Sequence, residues 1–196
     1  MDKFKNEFRI SPARLKEWDY GAPGLYYITI NTKNHRYYFG DIIAGTTNVE
    51  YENNLGKIET QNLASLCATR IGEIAQQYWR EIPDHFPFVE LDEFIIMPNH
   101  VHGIIFIHER TNEVERTWQI NKFAPQSKNL ASIIRGFKAG VKKFATINKI
   151  EFEWQARYYD HVIRNEQELN NIRRYIKDNP DNWEKDKNNP ENLTFE

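Results

Sequence analysis

Apolar positions along the chain switch between a two-residue and a helical period, and the order of these stretches predicts an antiparallel sheet with helices. Residues 24–30 and 36–43 are rich in β-branched and aromatic side chains and flank a polar turn at Asn31–Asn34, which predicts a β-hairpin. Residues 63–79 place apolar side chains at 63, 66, 67, 71, 74, 75 and 78, close to a helical spacing, with Pro83 and Pro87 marking its end. Residues 88–97 and 101–107 read as two strands joined near Pro98-Asn99, antiparallel neighbours. A second helix over 130–147 carries the stripe Leu130, Ile133, Ile134, Phe137, Val141 and Phe144. Residues 152–163 are aromatic-rich and partly extended. Asn165 with Glu168 three positions on has the form of a helix start, and the third helix runs to about Lys177 before Asn179-Pro180 stops it.

Hairpin, helix, two strands, helix suits an α+β domain: a ferredoxin-like antiparallel sheet with helices packed on one face. The expected organisation is a basic N-terminal arm over 1–19, the domain over 20–185, and a polar C-terminal tail over 186–196. Residues 44–60 and 108–127 are polar and read as loops, the second longer than most connections in a compact domain.

Composition narrows the functional classes. With 196 residues, 40% hydrophobic and 28% charged, the chain is long enough for a substantial core and has the balance of a soluble globular protein. A single cysteine, Cys67, excludes an internal disulfide framework and a cysteine-based zinc site. No apolar run reaches membrane-spanning length and no signal-peptide core is present, so no membrane partner and a cytoplasmic address are expected. The net charge of −2 hides a basic arm and an acid-free stretch from Lys128 to Lys149. Local field steers a polyanion more than total charge does, although solvated helix faces give the same pattern.

The candidate chemistry sits at Met97-Pro-Asn-His100-Val-His102-Gly103. Side chains alternate along a strand, so His100 and His102 share a face while Val101 points away. Such a pair can grip one divalent cation, or can simply be packed near a strand start. On the third helix, Tyr175 and Asn179 are four apart and share a face, beside the apolar stripe Leu169, Ile172 and Ile176. A packing role for Tyr175 and a capping role for Asn179 stay open on this pattern alone.

Six blocks in order resemble the REP-associated tyrosine transposases, within the HUH single-tyrosine transposases. They are Tyr20-Gly-Ala-Pro-Gly24 leading into Tyr26-Tyr-Ile-Thr-Ile30; Phe39-Gly-Asp-Ile42; Glu93-Phe-Ile-Ile-Met-Pro-Asn-His-Val-His-Gly103; Ile133-Ile-Arg-Gly-Phe-Lys138; Trp154-Gln155 with Tyr159-Asp-His-Val-Ile-Arg164; and Tyr175-Ile-Lys-Asp-Asn-Pro180. The resemblance implies the HUH nuclease fold and a metal-dependent endonuclease and strand transferase acting on single-stranded or hairpin DNA. It implies Tyr175 as nucleophile, forming a 5′-phosphotyrosine link, and His100 and His102 as ligands of Mg²⁺ or Mn²⁺. The third ligand position, often glutamine in relatives, is here Asn179, one methylene shorter. His161 is a further candidate near the site.

Arg135, Lys138, Lys142 and Lys143 are the candidate phosphate contacts, and Trp18 or Trp118 candidate base-stacking residues. Relatives include monomers and dimers that share the tyrosine helix, so a homodimer stays open. The rival functions are a catalytically silent, domesticated DNA-hairpin-binding protein and an HUH replication initiator or relaxase.

Overall fold

The computed structural model describes residues 18–43, 64–109 and 129–192, together with the backbone of the two-residue strands Lys3–Phe4, Glu7–Phe8, Glu52–Asn53 and Gly56–Lys57. Most of the basic arm, most of the loop at 44–60, and the segment carrying Trp118 lie outside the described residues. The longer strands are β1 (Gly24–Asn31), β2 (Gly40–Ile43), β3 (Ser65–Ala68), β4 (Val89–Met97), β5 (His100–Ile107) and β6 (Tyr159–Ile163). The α-helices are α1 (Arg70–Arg80), α2 (Ile82–His85), α3 (Leu130–Ile147) and α4 (Glu166–Asp178).

A four-stranded antiparallel sheet in the order β6-β1-β5-β4 organises the domain. The hairpin expected between residues 24–30 and 36–43 does not form. Both edges of β1 are occupied, by β5 and β6, so β2 finds its partner in β3 instead. That strand comes from the start of the stretch expected to be helical. The helix begins only at Arg70, where the Thr69 side chain accepts from the Gly72 amide and its hydroxyl donates to the Tyr38 carbonyl. The later helices fall where the periodicity put them, α3 opened by a reciprocal Asn129–Ser132 capping box and α4 by the Asn165 side chain on Glu168 N.

The α+β sheet with helices packed against it is as expected, but the helices divide between its faces. Tyr26, Ile28, Ile30, Val101 and Ile105 face α1 and α3, burying Trp79, Ile133, Phe137 and Val141 in the main core. The alternate positions face α4, where Ile104, Ile163 and Ile95 meet Leu169, Ile172 and Ile176. A sheet with two apolar faces needs cover on both, and α4 supplies the second. Gly103 has a steric role in this division: a Cβ there would stand 2.2 Å from the Trp79 ring, so only glycine admits the indole against β5.

The segment read as a tail also belongs to the folded unit. Asp186, Asn188 and Asn189 are buried. The Asn188 carbonyl accepts from Asn99 Nδ2 at 2.7 Å, and the Tyr37 hydroxyl donates to Asn189 Oδ1 at 3.0 Å. The domain therefore extends past residue 185. Among the described residues no helix is long and apolar enough to cross a membrane.

Candidate metal and tyrosine site

The tight turn between β4 and β5 sets the two histidines. Met97 pairs with His100 across Pro98-Asn99, and alternation then sends His100 and His102 to the α4 face. Both are fully buried, with ring centroids 4.4 Å apart.

Hydrogen bonding fixes which nitrogen His100 presents and orients the ring of His102. Asn99 Nδ2 donates to the carbonyls of His35 and Asn188, which turns Asn99 Oδ1 towards His100 Nδ1 at 2.8 Å. An amide oxygen only accepts, so Nδ1 carries the proton and Nε2 keeps its lone pair. That Nε2 is buried and has no hydrogen-bond partner among the described residues. His102 Nδ1 lies 2.8 Å from the Tyr27 hydroxyl and 3.0 Å from Thr29 Oγ1, which orients its ring as well.

A third group joins them that the sequence analysis missed. Asp186 brings a carboxylate oxygen into a cluster whose three candidate ligand atoms all lie within 4.8 Å of one another. It was hidden in a segment that looks merely polar. The available signal was the run of Asp and Asn at 186, 188 and 189, residue types that build hydrogen-bonded turns. Asp186 Oδ1 does accept from both the backbone amide and the side chain of Asn188, at 2.6 and 2.9 Å.

Electrostatics favour neutral imidazoles. Burial pushes His100 down to about 3, with His35 and Lys187 adding to the effect. His102 is held well below its ordinary value, first by burial and then by His100, with Asp186 opposing. Two neutral nitrogens, one of them without a partner, and a carboxylate form a donor set that suits a divalent cation. Leaving such a buried acceptor unsatisfied costs about 1–3 kcal/mol, which an ion would relieve.

Tyr175 approaches from α4. Its hydroxyl is 3.5 Å from His102 Nε2, and 41% of the residue is exposed. Burial and then Asp186 push the phenol up, while hydrogen bonding with Asn179 and Tyr27 pulls the other way. The helix is anchored along its length. Arg173 donates to both carboxylate oxygens of Asp92, at 2.8 and 2.5 Å, and Lys177 pairs with Glu93 at 2.8 Å. Ile176 adds apolar burial worth about 1.5–3 kcal/mol, and the partly buried Leu169 and Ile172 pack beside it.

The other candidates are placed as follows. Asn179 sits at the α4 C-cap, nearly fully buried, and its Oδ1 has no hydrogen-bond partner among the described residues. His161 lies on the edge strand β6 and bonds Glu168 at 2.7 Å, outside the His–His–Asp cluster. Arg135, Lys138, Lys142 and Lys143 lie on α3, on the far side of the sheet from the histidines. Two of them are engaged: Lys138 Nζ donates to the Gln155 carbonyl and Lys142 Nζ to that of Phe152, each at 2.6 Å. Trp18 packs at the core and donates to the Tyr26 hydroxyl at 3.2 Å.

No family model matches the chain. A protein of Haemophilus influenzae described as uncharacterized is 39% identical over 181 residues, covering 88% of this chain and 89% of the relative. Among solved structures, a REP-associated tyrosine transposase bound to a REP hairpin is similar with a TM-score of 0.51, at 17% identity, over 87% of this chain and 74% of that one. At that identity the likeness establishes a shared fold.

Proposed function

The chain belongs to the same protein family as its Haemophilus influenzae relative, and from that premise we propose that it is a metal-dependent tyrosine nuclease and strand transferase acting on single-stranded or hairpin DNA in the cytoplasm. The observation that carries the proposal is the meeting of Tyr175 with His100, His102 and Asp186 on one face of the sheet. The shared fold with a transposase bound to a REP hairpin supports the substrate class.

A divalent ion such as Mg²⁺ or Mn²⁺, held by His100, His102 and Asp186 with Asn179 Oδ1 as a further oxygen donor, would supply Lewis-acid polarisation of a phosphodiester oxygen. Asp186 thereby takes the third-ligand role first considered for Asn179. The Tyr175 oxygen attacks phosphorus, the bond to the 3′-oxygen breaks, and that oxygen takes up a proton as the phenol loses one. The product is a 5′-phosphotyrosine with a free 3′-hydroxyl, and reversal rejoins a strand. Asn179 and Tyr27 favour the attacking phenolate. One chain brings the histidines and Tyr175 together, which supports attack by the tyrosine of the same copy. Arg135 and Lys143, exposed on α3 across the sheet from the histidines, would contact phosphates only away from the cleavage point, with contacts that weaken with salt.

The test is incubation with single-stranded and hairpin oligonucleotide pools plus Mn²⁺, read on a denaturing gel. A protein–DNA adduct that disappears in Tyr175→Phe while binding persists is the expected result. Binding without any adduct across metals and hairpins would overturn it in favour of a non-cutting hairpin-binding protein.

A further inference from the structure

We propose that the groove beside Tyr175 is a nucleobase-stacking subsite, centred on Tyr159, that selects a nucleotide adjoining the scissile phosphate; this rests on the DNA-cleaving reading above. The groove opens between β6 and the N-terminal half of α4 and has a volume of about 500 Å³, ample for a base. Tyr159 lines it with 48% of its surface exposed, and meets Tyr27 edge-on with centroids 6.3 Å apart. Tyr27 in turn stacks on His102 at 5.6 Å and meets Tyr175 edge-on at 6.4 Å. An aromatic row therefore leads from the reacting hydroxyl to an exposed ring.

The opposite wall is polar in a way that suits a base edge. Gln167 and Asn171 line the groove from α4, and the series 167, 171, 175, 179 places them on successive turns before Tyr175 and Asn179. Asn171 is one such step from Tyr175, about 6 Å along the axis. Each amide offers both donors and an acceptor, which a base edge can match, while a phenol ring offers its π face to any base. Glu168, the acidic group of the groove, is already engaged: Oε1 with His161 and Oε2 with the Arg164 amide. Tyr27 lines the groove and also meets the Tyr175 ring, so the occupant assigned to it belongs to the substrate that reaches Tyr175.

The experiment scans a single abasic site through a fluorescent single-stranded oligonucleotide and measures both anisotropy, in the Tyr175→Phe background, and adduct yield, in the native protein. Base–aromatic stacking predicts that one abasic position weakens binding about 10-fold. Tyr159→Ala should weaken binding of the intact strand equally and show no further loss at that position, while Tyr159→Phe stays near the parent. Equal sensitivity to the abasic site with and without the Tyr159 ring would overturn the subsite. An adduct without this coupling removes the subsite and leaves the cleavage reading standing. Coupling without an adduct does the reverse, and failure to bind single-stranded DNA at all removes both.

Discussion

The hydroxyl of Tyr175 stands 3.5 Å from Nε2 of His102, although 73 positions separate them in sequence. Two anchoring systems hold that approach. Asp92 and Glu93 fix α4 to β4 through ion pairs, and the Tyr27 and Thr29 hydroxyls hold the His102 ring. In the proposed reaction, a tyrosine so placed would reach the phosphodiester held beside His102.

Asp186 is expected to contribute directly to metal affinity. Asp186→Asn should weaken Mn²⁺ binding by at least about 10-fold, as measured by titration calorimetry, with the unliganded fold retained. Unchanged affinity would remove Asp186 from the ligand set.

Asn99 is expected to act through His100. Asn99→Ala removes the acceptor that keeps the proton on Nδ1, so the ring is free to present the wrong nitrogen. Loss of such an outer partner lowers metal affinity by about 10–100-fold. The check is the rise in melting temperature caused by Mn²⁺, which should shrink in the variant even after its own lower baseline is subtracted.

The Asp92–Arg173 pair gives α4 docking a defined acid limit. Arg173 holds the Asp92 carboxyl below its ordinary value of 3.8. The unfolded chain therefore takes up this proton first as pH falls, so the pair's contribution is complete above 3.8 and is lost as pH drops through the lower native value. For a partly exposed pair the contribution is about 1 kcal/mol. Urea unfolding should show Asp92→Asn less stable than the parent by that amount at neutral pH, with the gap closing below 3.8. A gap independent of pH would exclude the ion pair as its cause.

Gly103→Ala should destabilise the fold by about 1–3 kcal/mol, because its Cβ would overlap the Trp79 ring. Trp79→Phe, which removes the ring atoms nearest that position, should recover part of the loss in the double variant. Additive losses in a denaturation series would show that the contact is not the source.

The sheet and helices were legible where one residue type fixes a local geometry. Asn165 and Glu168 set the start of α4, and the two-residue turn at Pro98-Asn99 set β4 against β5. The pairing of β1 was not legible, because strand partners are chosen by whichever edges become available after the chain has folded back on itself. The candidates His100, His102 and Tyr175 stand out through spacing and through a resemblance of motifs, and the fold brings them together. Asp186 could not be found by spacing, since no period links it to the histidines. Its place depends on how the chain turns after α4, where Asn188 and Asn189 bond to Asn99 and Tyr37.

That late contribution has a bearing on synthesis. A ribosome releases both histidines long before Asp186, with the whole of α3, β6 and α4 emerging in between. A nascent chain carrying the two histidines therefore lacks the carboxylate and the Asn188 carbonyl that orients Asn99. The turn after α4 thus completes the cluster, and shorter nascent chains hold the two histidines without their carboxylate neighbour.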